Sequence, residues 1–305
     1  MSLERKGHHG PSTFDGKSQI DSTSRPAWYA ERVESIPDAG RQLLEVYSGI
    51  PAERVLPHVL AIVRTPLYRD KAFDIWSYAC IGQVRFLDFT LPKLPYWPRI
   101  LPRLRAGASF VDAGCCFGQE IRFLVFKEGI AATQLYGFDL EPAFLDLGYE
   151  LFLDRDELHA QMLSGDVLAD SMAPDGKGLK AVEGKMDIVH AASLLHSWGW
   201  DDMVTATKRL VSLTRKLPGS MIIGNQMGSL DAGQYPMPTG TGLNYRHNVE
   251  SMERFWAQVG KETGSSWKVE SDMFLPPVVK ENMAHSWARS DPNLRMIWFC
   301  AERIS

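Results

Sequence analysis

From residue 109 onwards, short apolar runs alternate with longer segments of helical periodicity. The runs predict five strands, at residues 109–114, 134–140, 160–167, 186–194 and 220–226. Helical segments follow the first, second, fourth and fifth runs, and two closing strands are predicted at 267–274 and 295–302. Strands that alternate with helices pair mostly in parallel and are covered on both faces. We therefore predict an α/β, Rossmann-like fold with a seven-stranded, mostly parallel sheet.

The rest of the chain divides by composition. Residues 1–26 are rich in Ser, Gly and charge, which predicts a tail that is disordered or orders late. Residues 27–105 show helical periodicity and predict an N-terminal helical cap, which leaves residues 106–305 as the main domain. Within that domain residues 225–250 are rich in Gly and Pro. A long loop at a ligand-binding face is typical of a lid, and we expect one here.

Charge and composition argue against several classes of function. The formal net charge of −4 gives no support to nucleic-acid binding, and no apolar run approaches the roughly 20 residues of a membrane helix. The four cysteines follow no metal-ligand spacing, and the N-terminus lacks the apolar core of a secretion signal. We therefore expect a cytoplasmic protein with no metal, no nucleic-acid partner and no membrane span. Whether it forms a homodimer stays open.

The end of the first predicted strand has the character of a ligand-binding turn. After Asp112 come Gly114, Cys115, Cys116, Phe117 and Gly118, and then a helix. Free backbone N–H groups at a helix N-terminus suit a carboxylate or phosphate. The spacing departs from the Gly-x-Gly-x-x-Gly of dinucleotide sites and fits the looser Asp-x-Gly-x-Gly-x-Gly of S-adenosylmethionine (SAM) enzymes, with Cys116 at the middle glycine. The alternative is an ordinary strand–helix turn.

Two further strand ends carry acids in the order that a nucleoside would require. Asp139, followed by Leu140, ends the second strand and can accept hydrogen bonds from a ribose diol, although a helix N-cap is the alternative role. After the third strand come Gly165, Asp166 and Val167, where the carboxylate can accept from an adenine amino group and Val167 can pack on the ring. Together, the three strand ends predict a SAM site.

Residues 109–302 resemble class I SAM-dependent methyltransferases, whose sheet ends in a β-hairpin. The chain is also similar to fungal methyltransferases that methylate a carboxyl group on polyketide–terpenoid (meroterpenoid) intermediates. That similarity rests on residues 71–89, 111–125, 135–156, 187–202, 208–228 and 245–264, and Gly-Cys-Cys-Phe-Gly-Gln is its most specific element. The resemblance implies that Cys116 is the usual residue of the group and that residues 106–305 form the SAM-binding domain. Asn225 stands where a basic residue is expected, which leaves the substrate open.

The resemblance implies a SAM-dependent O-methyltransferase that acts on a hydrophobic carboxylic acid and releases S-adenosylhomocysteine. Alternatives are methylation of a hydroxyl, nitrogen or carbon, a cyclase or isomerase that binds SAM without methyl transfer, and a non-catalytic SAM-binding regulator. An NAD-linked oxidoreductase is disfavoured by the glycine spacing from Gly114 to Gly118.

Candidate catalytic and substrate residues each have a structural alternative. A carboxylate acceptor is ionised at neutral pH and needs no general base, whereas a hydroxyl needs one, for which His196 is the candidate. His190 either contacts SAM or is a core residue. Arg246 and His247 either bind a substrate carboxylate or lie in a solvated turn. Four aromatic residues either line an apolar substrate cavity or pack in the core: Trp76, Tyr78, Trp198 and Trp200.

Overall fold

Seven strands form one central sheet in the computed structural model, which describes residues 32–63, 72, 78–169, 177–237, 242–277, 280 and 291–305. Their order across the sheet is β3-β2-β1-β4-β5-β9-β8. Strands β1 to β5 run parallel, and β9 is antiparallel to both β5 and β8. The predicted class I fold, with a parallel sheet and a closing hairpin, is therefore confirmed. The strands are β1 (Phe110–Ala113), β2 (Leu135–Asp139), β3 (Gln161–Ser164), β4 (Ile188–His190), β5 (Met221–Ser229), β8 (Trp267–Phe274) and β9 (Leu294–Arg303).

Helices cover both faces of this sheet. On one face, α8 and α9 bury an apolar cluster that includes Val111, Val189 and Ile222. Asn248 caps α9 with a reciprocal capping box to Ser251, as its side-chain type favours. The helices are α1 (Asp38–Gln42), α2 (Ala52–Val63), α3 (Ala79–Gly82), α4 (Trp97–Arg105), α5 (Gln119–Glu128), α6 (Pro142–Phe152), α7 (Lys177–Lys180), α8 (Trp200–Leu213) and α9 (Val249–Thr263).

The described part of the N-terminal region is helical and packs on the opposite face. A π-helical turn, Leu43–Tyr47, continues α1, and His58 of α2 hydrogen-bonds through Nε2 to the carbonyl of Leu151 in α6 at 2.9 Å. Apolar side chains of the cap, α5, α6 and the sheet belong to one buried cluster. The boundary at residue 105 stays a prediction, and the predicted tail at residues 1–26 lies outside the described residues.

The predicted lid loop at 225–250 differs from the structure. Strand β5 continues to Ser229 because β9 lies beside it, with Ser229 opposite Leu294. Further on, β6 (Gly233–Pro236) and β7 (Leu243–Arg246) form a two-stranded antiparallel sheet. The strand extension was hidden because Asn225, Gln226 and Gly228 break the apolar pattern that marks a strand.

Candidate active site

The turn after β1 has the backbone of a ligand-binding loop. Gly114, Cys116 and Gly118 have φ of +71°, +51° and +66°, a conformation that glycine adopts readily and other residues rarely. Cys116 therefore has the backbone conformation that a middle glycine would take, which agrees with our interpretation of its position. Within the loop, the N–H groups of Gly114 and Cys115 both donate to the carbonyl of Phe138 at 2.9 Å, and the N–H of Gly118 donates to the carbonyl of Cys115 at 2.8 Å, so these groups hold the turn itself.

Buried partners hold this loop in place. Arg122, fully buried in α5, donates from Nη1 to the carbonyl of Phe117 at 2.6 Å and from Nε to Asp154 at 2.7 Å. Space is also tight at Gly118, where a Cβ atom would lie 2.5 Å from the Met162 methyl group. Sequence reasoning missed Arg122. An arginine in the first turns of the helix after a glycine turn was the available signal.

Asp139 contacts the loop directly. Its Oδ2 accepts from the N–H of Cys116 at 2.8 Å, and its Oδ1 accepts from the N–H of Glu141 at 3.1 Å. The ribose candidate and the glycine-like turn are thus brought together. The Glu141 contact is an Asx-turn bond, and the N-cap alternative for Asp139 is wrong, because α6 has Glu141 as its N-cap and no side-chain cap bond. Burial raises the pKa of Asp139 to about 6, against the two hydrogen bonds. Leu140 beside it is 48% exposed and so lies open to a ligand.

The third strand end lies next to the second. The N–H of Gly165 donates to the carbonyl of Asp139 at 3.0 Å. Asp166 is half-buried and accepts from the N–H of Leu168 at 2.8 Å, whereas Val167 is buried. The three predicted strand ends therefore form one continuous edge of the sheet.

Asp112 and His190 form a buried pair at the base of this edge. They occupy opposing positions on the neighbouring strands β1 and β4. His190 Nδ1 lies 2.9 Å from Asp112 Oδ1, and His190 is fully buried. Burial opposes a charged imidazole, but the hydrogen bond and charge of Asp112 outweigh it and raise the pKa of His190. His190 is therefore a core residue paired with Asp112, and its contact with SAM stays a prediction.

His196 lies beyond β4 in a short 3-10 turn, Leu195–Ser197. Its Nδ1 accepts a hydrogen bond from the N–H of Met227 at 3.2 Å. Burial and then the charge of Arg246 lower the pKa of His196 to about 4, so the ring is neutral at pH 7. A neutral imidazole that accepts at Nδ1 carries its hydrogen on Nε2. His196 therefore presents a donor, not a base, at Nε2.

Arg246 and His247 are both buried and paired within the protein. Arg246 is 1% exposed, and its Nη1 donates to Asp291 at 2.8 Å. His247 is fully buried, with Nδ1 2.9 Å from the Ser251 hydroxyl, and burial lowers its pKa to about 3. Neither is in a solvated turn, because β7 packs against the main sheet at the bridge between Gly228 and His247. We correct both assignments to structural roles.

The aromatic candidates divide between cap and sheet. Tyr78 of the cap is 40% exposed, and its ring centroid lies 6.3 Å from that of Phe144 in α6, whose ring in turn lies 5.6 Å from that of Phe117 in the loop after β1. Trp198 is 8% exposed, and its Nε1 has no partner within the described part of the chain. Trp76 lies outside the described residues.

Unpaired polar atoms mark residues that sequence reasoning missed. Among the described residues, Asn225 Oδ1 and both polar atoms of the Gln226 amide are buried without a partner. Glu120 Oε2 and the Tyr96 hydroxyl are likewise buried and unpaired there. Leaving such groups unpaired is costly, so they point to ligand or water contacts. The available sequence signal was the polar pair Asn225 and Gln226, which interrupts the apolar pattern of a buried strand.

Within the described ranges, no group of three or more His, Cys, Asp or Glu side chains is arranged to hold a metal ion. None of the helices described is both long and apolar enough to cross a membrane.

Comparison with known proteins identifies the family. A family model described as "Meroterpenoid methyltransferase N-terminal domain" matches residues 28–87. O-methyltransferase phiE of Fungal sp. (strain ATCC 74256) is 43% identical over 80% of this chain and 78% of its own length. O-methyltransferase atr3 of Stereocaulon alpinum is 40% identical over 80% of this chain and 68% of its own. Asnovolin E/Chermesin D methyltransferase nvfJ of Aspergillus novofumigatus is 33% identical over 78% and 82%. The chain therefore belongs to the family of fungal secondary-metabolite methyltransferases.

Proposed function

We propose that this protein is a SAM-dependent O-methyltransferase that methylates a carboxyl group of a hydrophobic meroterpenoid intermediate. Family membership supports methylation, and the geometry of the strand ends supports the choice of methyl donor. The observation that carries the carboxyl assignment is the hydrogen bond from Met227 N–H to His196 Nδ1.

The residues at the sheet edge fit SAM. Asp112 Oδ2, which His190 does not use, suits the ammonium group of SAM, and the N-terminus of α5, which follows the loop, suits its carboxylate end. Asp139 suits the ribose diol, while Asp166 and Val167 suit the adenine. Asp139 now accepts from two backbone N–H groups, so ribose hydroxyls would share its remaining lone pairs. When bound, SAM supplies a methyl group on an already activated sulfonium.

The state of His196 separates acceptor classes. Methylation of an aliphatic hydroxyl needs a base to remove its proton in the transition state. His196 has its Nδ1 occupied and a hydrogen on Nε2, so it orients an acceptor oxygen by donation instead. A carboxylate is already ionised at neutral pH and needs only alignment with the methyl group and exclusion of water.

The pairing of Arg246 with Asp291 supports the same acceptor. When a carboxylate attacks a sulfonium, both charges are lost, so a strong cation on the carboxylate would stabilise the ground state more than the transition state. Only interactions that strengthen in the transition state raise the rate. Asp291 already accepts from Arg246, so the guanidinium is directed away from the acceptor, and neutral donors such as His196 Nε2 and the unpaired Gln226 Nε2 are left to bind it.

The direct test is mass spectrometry of apolar polycyclic acids incubated with SAM, each paired with its primary alcohol. We expect the acid to gain one methyl group as an alkali-labile ester and the alcohol to be unchanged. Methylation of the alcohol instead of the acid would refute the carboxyl assignment, and SAM-dependent rearrangement without methyl gain would favour the cyclase alternative.

A further inference from the structure

A polar cluster that includes Asp112 is buried between the cap and the sheet. It consists of Asp112, His190, Glu120 and Tyr96, each of which is at most 6% exposed. Glu120 lies in the first turn of α5, immediately after the loop of residues 114–118. We refer to these four residues as the Asp112 cluster.

Glu120 connects the cap to this cluster. Its Oε1 accepts from the N–H groups of Thr90 and Leu91 in the cap, at 3.0 and 3.4 Å. Its Oε2 is buried and without a partner among the described residues, as are His190 Nε2 and the Tyr96 hydroxyl. His190 is thus bound through Nδ1 to Asp112, while its Nε2, Glu120 Oε2 and the Tyr96 hydroxyl are buried without partners among the described residues.

The cluster contains two carboxyl groups and one imidazole. The charges that act on His190 are those of Asp112 and Glu120, and the charges that act on Glu120 are those of His190 and Asp112. Tyr96 faces Glu120, Cys300 and Asp112, and on the far side of Asp112 are Asp139 and the Cys115 thiol. Burial raises the pKa of Glu120, and Asp112 raises that of His190 against burial, so each holds its proton more firmly than in water.

We propose that Glu120 and His190 are positioning residues for SAM, which orient Asp112 towards the SAM ammonium group and give up a proton to solvent when that cation arrives. This rests on the proposed function, in which Asp112 binds the ammonium. A new positive charge beside Asp112 disfavours the charged imidazole and favours ionised Glu120. Either group loses its proton to bulk water, so up to one proton leaves for each SAM that binds.

Calorimetry of SAM binding tests this coupling. Titrations at pH 7 in phosphate and in Tris, which differ in ionisation enthalpy, give the protons released per SAM. We expect release by the wild-type protein and at least about a twofold smaller release by Glu120→Gln, because that change removes one of the coupled acids. Glu128→Gln is the matched control: it neutralises a carboxylate at the other end of α5, where Glu128 pairs with Arg105 at 3.0 Å.

Replacement of His190 separates positioning from titration. Asparagine can keep an N–H group near the place of Nδ1 but does not titrate, so His190→Asn should bind SAM within about threefold of wild type with reduced proton release. His190→Leu loses the bond to Asp112 and should bind about tenfold more weakly, as expected for a hydrogen bond to a charged group. Melting temperatures without SAM identify any variant that fails to fold.

The outcomes separate this inference from the proposed function. Absence of SAM binding by folded wild-type protein would refute both. Binding without proton release, or equal release by Glu120→Gln and Glu128→Gln, would overturn the inference and leave the methyltransferase assignment intact. If Glu120→Gln does not fold, Tyr96→Phe tests the same region with the loss of a single hydroxyl, and a proton release equal to wild type would count against the cluster.

Discussion

The ion pair between Arg246 and Asp291 gives the sharpest stability prediction. Both side chains are 1% exposed, and Asp291 also accepts from Ser229 Oγ at 3.1 Å and from the N–H of Asn293 at 2.9 Å. Asp291→Asn places an amide opposite the guanidinium and leaves Arg246 buried and charged without its partner. Breaking a buried pair from one side costs about 3–5 kcal/mol, and we expect the free energy of unfolding to fall by that amount.

Urea denaturation followed by tryptophan fluorescence measures this effect. Arg246→Met should cost a similar amount, and the double variant should recover part of the loss because no unpaired charge remains. The matched control is Arg254→Gln, which breaks an exposed pair with Glu250 and should cost no more than about 0.5 kcal/mol. A loss below about 1 kcal/mol for Asp291→Asn would refute the buried-pair argument. A stable Arg246→Met variant with a raised KM for the acceptor would restore Arg246 as a substrate contact.

Four further predictions concern the active site. His196→Gln should keep turnover within about tenfold of wild type, because donation orients the acceptor without taking a proton; a loss of several orders of magnitude in kcat would indicate base catalysis. The affinity for SAM should weaken as pH falls through about 6, where Asp139 takes up a proton. Asp139→Asn should weaken SAM binding about tenfold and remove this pH dependence. If the pH dependence of SAM affinity is the same in the variant, the ribose assignment is wrong. The raised pKa of Asp139 also means that its ionisation costs stability, so its contribution is full at low pH and is lost as pH rises through about 6. Cys116→Gly should remove the backbone strain of the φ of +51° and stabilise the fold by up to about 1 kcal/mol, whereas Cys116→Val should destabilise it. Melting curves that give the opposite order of stability would contradict the left-handed conformation of residue 116.

Predictions made from local pattern were the most accurate. The apolar strands, the glycine-flanked turn from Gly114 to Gly118 and the acids at Asp139 and Asp166 were all placed correctly at one sheet edge. The physical reason is that parallel strands must end at the same edge when helices connect them, so sequence order alone brings their final residues together. The position of Cys116 at the middle glycine was predicted from the spacing alone, whereas its left-handed φ of +51° is a finding of the structure.

Partners distant in sequence decided the rest. The residues next to Arg246 in the sequence give no sign of a partner, so Arg246 was predicted to bind a substrate. Folding brings Asp291 to it from 45 residues away. The donor state of His196 depends on the N–H of Met227, and the pairing of His190 with Asp112 spans 78 residues. The sequence by itself determined the order of the elements and the residue types at their ends, because these follow from local backbone preference and apolar period. Only the tertiary structure decided which charges are already paired and which atoms are left to bind a ligand, because a hydrogen bond depends on distance in space and not along the chain.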